Sequence, residues 1–358
     1  MITLELSAVS MLLAAYALWI FGMFIAALLR GAATRRAQQR AAELEPKIRE
    51  VLIHYLAGAE DRTEIRHYVK ESRAAVSTTL LSFQTTISGG ARDRLCEVAL
   101  DQGLVHEWCQ QTRSKNLAVR RAAFVRLAFA CSYEPCRRVG GEILLDALND
   151  ADDEIRLEAC RALVQAGVPE EVESVFEAAL GSNPLIRILL AEDLRRHAAV
   201  LCKRAVPEAL RAGDSARVLA ALDVLVAWER ALPLRGLFNL LQRDDPQIRI
   251  QTLHLAPLVE MASEDMASVL DALADPDERV VLAAAQSVGR LRLQGAMTAL
   301  ARCLRTGNPE LARVSAAALA EIPGTGAVTL EELSDSSNRV TALAAREALG
   351  RARQRGGM

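Results

Sequence analysis

A sequence pattern recurs from about residue 100 to the C-terminal end and limits the fold more than any other feature. An aliphatic residue inside an alanine-rich, helix-like segment returns at intervals of 28 to 36 residues. The marker positions are Val119, Ile155, Ile186, Val218, Ile248, Val280, Ala312 and Val340. A period of this length, with helical spacing inside each copy, predicts stacked helix pairs that share a continuous core.

Each copy also carries residues suited to start a helix. Asn or Asp accepts hydrogen bonds from the free backbone N–H groups of a first turn, and Pro fits the first helical position. Four copies combine the two, at Asn183–Pro184, Asp245–Pro246, Asp275–Pro276 and Asn308–Pro309. A degenerate copy at 213–228 fills the gap in the middle. The order helix, turn, helix, loop predicts an all-α fold, with an α-solenoid of helix pairs over residues 101–353 and a short tail at 354–358.

One copy carries a recognisable motif. From Asp150 to Leu163 it is D-A-D-D-E-I-R-L-E-A-C-R-A-L. It resembles the D-x-D-x-x-V-R-x-x-A-x-x-A-L motif of HEAT-repeat proteins, in particular the short bacterial HEAT-like repeats of about 30 residues found in phycobilin lyase subunits. The resemblance covers roughly residues 100–353, and it is specific for fold and weak for activity.

The resemblance implies roles for two residues of each copy. The aspartate caps the second helix, and the arginine after the aliphatic marker helps to link neighbouring repeats. The residues at this arginine position are Arg120, Arg156, Arg187, Arg249 and, approximately, Arg313, whereas Val281 and Thr341 depart from it.

A long uncharged segment precedes the repeats. Residues 8–29, AVSMLLAAYALWIFGMFIAALL, are 22 apolar or neutral residues, and the arginines that follow are Arg30, Arg35, Arg36 and Arg40. As a helix they would span about 33 Å, enough for a bilayer core of about 30 Å. Basic residues behind a span mark the cytoplasmic side. We therefore expect a single-pass anchor in the bacterial inner (cytoplasmic) membrane, with residues 1–7 outside and the solenoid in the cytoplasm.

Two other interpretations of residues 8–29 are a cleaved signal peptide and a buried core helix. The first five residues, MITLE, lack the basic residues of a signal peptide, and the apolar run is longer than a signal peptide requires. Its length and the arginines behind it also disfavour a core helix. Gly22 and Ala26 have a spacing that lets membrane helices pack closely, a weak indication of homo-oligomers or of a partner helix.

Residues 30–100 are predicted to be a juxtamembrane helical region. Pro46 fits the first turn of a new helix there, and residues 62–87 predict another helix. Apolar residues of the first of these helices recur every three or four positions, at Leu44, Ile48, Val51, Leu52, Tyr55 and Leu56. That apolar face either packs on the following helices, which we favour, or lies on the membrane surface.

Charge and cysteine content bear on the function. A net charge of −2 provides no overall basic field for nucleic acid, so we expect no nucleic-acid partner. Local arginine clusters, as at Arg195 and Arg196, are interpreted as solvated faces and ion pairs between repeats. The seven cysteines are scattered through apolar helical stretches and are interpreted as reduced and buried.

Motifs that would indicate chemistry are missing from the sequence. It contains no H-E-x-x-H, C-x-x-C or G-x-x-x-x-G-K-[ST]. His106 and Cys109 could share a helix face, but Cys96 is the one further zinc ligand nearby. Gly324 and Gly326 are interpreted as an inter-helix turn. We therefore predict no catalytic, cofactor-binding or metal-binding residue, no cofactor and no enzymatic activity.

The span and the repeats together predict a membrane-anchored scaffold or adaptor that presents a protein-interaction surface at the cytoplasmic face. The resemblance implies a membrane enzyme, such as a glycosyltransferase, as one kind of partner. It also leaves an alternative open, a HEAT-like lyase or lyase subunit that acts on a chromophore or on protein modification.

Overall fold

The structure is a computed structural model that describes residue 23 and residues 39–58, 62–84, 86–306 and 308–356. The expected span at residues 8–29 therefore lies outside the described residues, except for Met23, which is helical. No helix in the described ranges is both long and apolar enough to cross a bilayer. The contacts divide the chain into two compact units, and the boundary in the sequence falls between Leu144 and Leu145. The predicted domain bounds stay predictions.

The described part of the first unit consists of helices joined by short turns. Its helices are α1 (residues 39–56), α2 (Thr63–Glu71), α3 (Arg73–Ser82), α4 (Gly90–Asp101), α5 (Leu104–Gln111), α6 (Leu117–Ala130) and α7 (Glu134–Asp146), the last of which ends just beyond the unit boundary.

The second unit is also helical, with short 3₁₀ turns between several helices. Its helices are α8 (Asp153–Ala166), α9 (Pro169–Leu180), α10 (Pro184–Leu194), α11 (Ala198–Leu201), α12 (Ala205–Leu210), α13 (Ser215–Ala227), α14 (Pro246–Leu255), α15 (Ser263–Asp271), α16 (Glu278–Leu291), α17 (Met297–Leu304), α18 (Pro309–Glu321), α19 (Thr325–Ser334) and α20 (Arg339–Gly356). The described residues form no strand, and Leu232 and Val259 make an isolated parallel bridge.

The second helices of the predicted pairs stack on one another. Helix α8 packs on α10, α10 on α13, α13 on α14, α14 on α16, α16 on α18, and α18 on α20. The markers on the first six of these helices are buried, namely Ile155, Ile186, Val218, Ile248, Val280 and Ala312. The second unit is thus an all-α stack of repeated helix pairs, which confirms the predicted solenoid architecture for this part of the chain.

The predicted caps are present with one correction. Asn183, Asp245 and Asn308 cap α10, α14 and α18, each with Pro in the first turn. Asp275 does not cap α16 as predicted, because Asp277 takes that place and accepts a bond from Arg279 N. The sequence D-P-D-E offers two aspartates as caps, and the second lies directly before the helix.

Two predicted boundaries in the first unit are wrong. Pro46 lies inside the helical run 39–56 rather than at the start of a new helix. The segment 62–87 contains two helices instead of one, because Ser72 is extended and its hydroxyl caps α3 by accepting a bond from Ala75 N at 3.2 Å. The bond from a backbone N–H to the serine hydroxyl is an alternative to the helical hydrogen bonds, so it favours the end of one helix and the start of the next at Ser72.

The apolar face of α1 is covered by the helices that follow it. Ile48, Leu52 and Tyr55 are buried. The Arg94 guanidinium of α4 lies 4.9 Å from the Tyr55 ring centroid and donates to the carbonyl of Leu56 at 3.3 Å. The favoured interpretation, packing on the following helices, is therefore confirmed for Ile48, Leu52 and Tyr55, whereas Leu44, Val51 and Leu56 are half-buried.

Candidate partner-binding groove

Two of the motif arginines link neighbouring repeats. Arg187 Nη1 donates to Asp223 Oδ2 of the next second helix at 2.7 Å, and Nη2 donates to the carbonyl of Ser182 at 2.9 Å. Arg249 Nε and Nη2 donate to the two carboxylate oxygens of Asp275 at 2.8 and 2.9 Å. Each pair joins two repeats, so the role implied by the resemblance is confirmed at these two positions.

The other motif positions in the second unit behave differently. Arg156 bonds within its own repeat, to the Asp150 carbonyl at 2.5 Å and to the Asp153 carboxylate. Val281 joins a buried apolar cluster with Cys303 and Leu311. The Thr341 hydroxyl is fully buried and donates to the Leu304 carbonyl of the preceding repeat at 3.0 Å. At Val281 and Thr341, toward the C-terminal end, apolar packing and a hydroxyl hydrogen bond thus take the place of the arginine–aspartate pair that links earlier repeats.

A groove crosses the last three second helices of the stack. It has a volume of about 770 Å³. Helices α16, α18 and α20 and the residue after α16 line it, and we call it the alanine groove. Its lining residues are Gln286, Gly289, Arg290, Arg292, Arg313, Val314, Ala317, Ala318, Ala320, Glu321, Ala344, Glu347, Ala348, Arg351 and Ala352.

Small residues form the floor of the alanine groove. Gly289 lets α16 approach α18 closely, because a Cβ at that position would lie only 2.8 Å from the Ala318 Cα. Ala318, Ala344 and Ala348 are themselves buried, and Ala344 and Ala348 are one helical turn apart on α20. Side chains of this size leave room for the backbone of another helix to come near the floor.

Arginines dominate the rim of the alanine groove. Arg290, Arg292 and Arg313 are exposed, and in the ranges that the structure describes they take part in no ion pair. Arg351 lies 3.5 Å from Glu347 on the same helix face. The groove thus carries four arginines against the two carboxylates of Glu321 and Glu347, an excess of positive charge.

Arg292 occupies an unusual backbone position on this rim. It is the residue after α16 and has a left-handed φ of 54°, a conformation that helix ends usually give to glycine. A non-glycine residue there carries a conformational cost. One guanidinium of the rim is thus carried by a residue whose backbone conformation would suit glycine better.

The cysteine and histidine candidates do not form a metal site in the described part of the chain, where no three His, Cys, Asp or Glu residues are placed to hold an ion.

Four cysteines lie together in the first unit, Cys96, Cys109, Cys131 and Cys136, and their spacing in the sequence did not predict this cluster. Cys136 Sγ is 3.4 Å from the Cys96 carbonyl. A Cβ on Gly140 would lie 3.1 Å from Cys131 Sγ and 3.7 Å from Cys109 Sγ.

Burial keeps the thiols of Cys96 and Cys136 in their neutral form. It raises the pKa of Cys96 to about 11 and also raises the pKa of Cys136 well above its ordinary value. A thiol is a poor nucleophile and metal ligand until it loses its proton. Cys96, Cys131 and Cys136 therefore pack as small apolar core residues, as the sequence predicts. Cys109 is only partly buried, which corrects the prediction that all seven cysteines are buried.

The remaining sequence candidates have local structural roles. Gly324 precedes α19 with a φ of 77°, so the predicted inter-helix turn is confirmed there, whereas Gly326 lies in the first turn of α19 rather than between helices. Arg195 pairs with Glu192 at 2.8 Å on the surface, and Arg204 pairs with Glu173 of the preceding pair of helices. These pairs confirm the interpretation as solvated faces and inter-repeat ion pairs at these positions.

No family model and no curated protein matches this sequence. The similar solved structures include YibA of Escherichia coli (15% identity, 82% of this chain and 98% of that chain, TM-score 0.33). They also include human deoxyhypusine hydroxylase in complex with glycerol (16%, 88% and 98%, TM-score 0.30). A third is Kap121p bound to Ste12p (13%, 88% and 47%, TM-score 0.40), so the chain spans about half of Kap121p. Likeness at these scores carries no argument about function, and the fold assignment depends on the stacked helix pairs.

Proposed function

We propose that this chain is a membrane-anchored, non-enzymatic scaffold whose alanine groove binds an acidic helical segment of a partner protein. The observation that carries the proposal is the combination of a small-residue floor with a rim on which three exposed arginines, Arg290, Arg292 and Arg313, form no ion pair within the described ranges. The floor suits the close approach of a helix, and the rim attracts carboxylates and disfavours basic partners.

The dimensions of the groove suit a short helix. Adjacent packed helices are about 8–10 Å apart, so three of them present a groove of roughly 20 Å. A helix of about 13 residues has this length at its usual rise. Asp or Glu at intervals of three or four residues on such a segment would place carboxylates near Arg290 and Arg313 from one helix face.

The anchor belongs to the same proposal. Residues 8–29 would hold the repeats at the cytoplasmic face of the bacterial inner membrane, where a membrane enzyme such as a glycosyltransferase would be the partner. The supporting observation is the uncharged run with arginines directly behind it. A tethered scaffold raises the local concentration of its partner at the membrane.

Site-specific crosslinking tests the groove. The photo-reactive residue p-benzoylphenylalanine would replace Ala317 in the groove or Ala327 on α19, both of which are exposed helical alanines. In native membranes we expect a crosslinked partner peptide at Ala317 but not at Ala327, and its sequence should be rich in Asp and Glu. Equal crosslinking at both positions, or a basic crosslinked peptide, would contradict the proposal.

Charge reversal supplies the matched control for this experiment. The R290E/R313E variant reverses two rim charges, whereas R302E/R305E reverses two exposed charges outside the groove. We expect the first variant to abolish the crosslink from Ala317 and the second to preserve it. Loss in both variants would mean that overall charge, rather than the groove, recruits the partner.

Accessibility labelling tests the anchor separately. In intact cells, a membrane-impermeant maleimide should label Ser7→Cys and should leave Ser337→Cys unlabelled until the cells are permeabilised. Ser337 lies in the exposed turn between α19 and α20. Extraction of the full chain by alkaline carbonate, or labelling of Ser337→Cys from outside, would argue against a single span with the repeats in the cytoplasm.

A further inference from the structure

The repeat pattern breaks between α13 and α14, where an irregular segment stands in place of a regular first helix. Glu229 and Gly236 have left-handed φ values of 45° and 72°, and a 3₁₀ helix, Leu237–Gln242, follows. Leu232 N donates to the Leu258 carbonyl at 2.8 Å, which fixes the segment against the next repeat. The segment is therefore anchored to its neighbour, so its side chains have defined positions.

A second pocket lies between this segment and the end of α12. It has a volume of about 450 Å³, within the usual range for small-molecule sites. Its apolar part comes from Pro207, Leu210, Leu234 and Leu240. Its polar part comes from Arg211, Arg235, Asn239 and Arg243, and we call it the arginine pocket.

The charge of the arginine pocket is of one sign. Of the described residues that line it, three are arginines and none is a carboxylate. Arg211 and Arg235 are exposed and take part in no ion pair in the described ranges. Two cap residues close to these arginines in the sequence are Asp214 and Asp245. Their carboxylates accept bonds from the backbone, from Ala216 N at 3.0 Å and from Gln247 N at 2.8 Å, rather than from the arginines.

Arg243 joins the two walls of the pocket. Its guanidinium donates to the carbonyl of Ala212, the residue next to Arg211. Its own carbonyl accepts a bond of 2.8 Å from Arg249 Nη1, and the Arg249 side chain is nearly buried and bonded to Asp275. The loop that carries Arg211 is thus connected to the core of the stack, so the pocket is organised before a ligand arrives.

We propose that the arginine pocket binds the phosphate group of a small phosphorylated molecule. Planar guanidinium groups match phosphate oxygens in pairs, and a phosphate carries more charge than a single carboxylate. The apolar residues beside the arginines accommodate a non-polar portion of the same ligand. The phosphate belongs either to a soluble metabolite or to a lipid headgroup, and the same arginine–phosphate hydrogen bonds would bind both.

Calorimetric titration of the full chain in detergent tests this proposal. Inorganic pyrophosphate serves as the soluble probe and dihexanoyl phosphatidic acid as the lipid probe. The R211A/R235A variant should weaken binding of the recognised probe by at least about 30-fold, because charge-assisted hydrogen bonds are lost. The matched control R302A/R305A removes the same charge from exposed positions outside the pocket and should change the Kd by less than about twofold.

The outcomes show whether the pocket binds phosphate and whether that phosphate is soluble or part of a lipid. Loss of pyrophosphate binding in R211A/R235A supports a soluble phosphate ligand, and loss confined to the lipid probe supports a headgroup. Failure of the wild-type chain to bind either probe, or equal weakening in both double variants, would overturn the proposal. None of these measurements depends on the alanine groove or its partner.

Discussion

Arg249 of α14 and Asp275, which precedes α16, are joined across two repeats by a pair of hydrogen bonds of 2.8 and 2.9 Å. Both side chains are about 90% buried, with 11% and 10% of their surface exposed. Arg249 Nη1 also donates to the carbonyls of Arg243 and Asp244 at 2.8 and 2.9 Å. One side chain thus organises the turn before its own helix and the turn before the next.

The Arg249→Ala variant should strongly destabilise the second unit. It leaves the Asp275 carboxylate buried without its partner, which costs about 3–5 kcal/mol in the free energy of unfolding. Urea denaturation followed by circular dichroism measures this change. The control Arg138→Ala breaks an exposed pair with Glu134 and should cost less than about 1 kcal/mol. A similar small cost for both variants would contradict the assigned role of Arg249.

The Gly289→Ala variant should destabilise the stack although alanine favours helices. Its Cβ would lie 2.8 and 2.9 Å from Ala318 Cα and Cβ, so α16 and α18 must separate. We expect a loss of about 1–3 kcal/mol from this overpacking. The matched control is Gly350→Ala in α20, where a Cβ would meet nothing within 4 Å and helix propensity should add up to about 1 kcal/mol. Stabilisation by both substitutions would refute the close contact.

The cap residue Asp277 should make stability depend on pH in the acid range. The Arg279 guanidinium, which donates two bonds to this carboxylate, lowers the pKa of Asp277 to about 2. The ordinary pKa of an aspartate is about 3.9. The unfolded chain therefore takes up the proton first as pH falls, and the stabilisation present above about pH 4 is lost by about pH 2.

The Asp277→Asn variant tests this dependence, because an amide oxygen can still cap α16 but carries no charge. Chemical denaturation from pH 6 to pH 2.5 should show the variant less stable than the wild type at pH 6. The difference should shrink as the pH falls. A difference that stays constant over this range would mean that the charge pair with Arg279 does not stabilise the fold.

Alkylation should distinguish Cys109 from the buried cysteines. Cys109 is partly exposed, whereas Cys96, Cys160 and Cys202 are buried, and burial raises their pKa values to about 11, 12 and 11. Iodoacetamide at pH 8 should therefore modify Cys109 first in the native chain, and all of these residues should react in urea. Peptide mass mapping measures the order, and early modification of Cys160 would contradict the burial of its side chain.

Features that depend on a few neighbouring residues were predictable from the sequence. The side chain of a cap bonds to backbone N–H groups two or three residues away, so Asn183, Asp245 and Asn308 mark helix starts without knowledge of the fold. The regular return of these caps, with apolar residues at helical spacing between them, also predicted the all-α stack. Even the degenerate copy forms a capped helix, α13, after Asp214.

Contacts between residues about 30 positions apart required the tertiary structure. The sequence placed Arg156, Arg187 and Arg249 at one motif position, but the packing of successive helices lets Arg187 and Arg249 reach the next repeat while Arg156 bonds within its own. The same holds for the alanine groove, because the approach of Gly289 to Ala318 depends on how two helices cross. Local patterns determine where helices begin, whereas the spacing between helices is set by the side chains that meet there, and those meet only after folding.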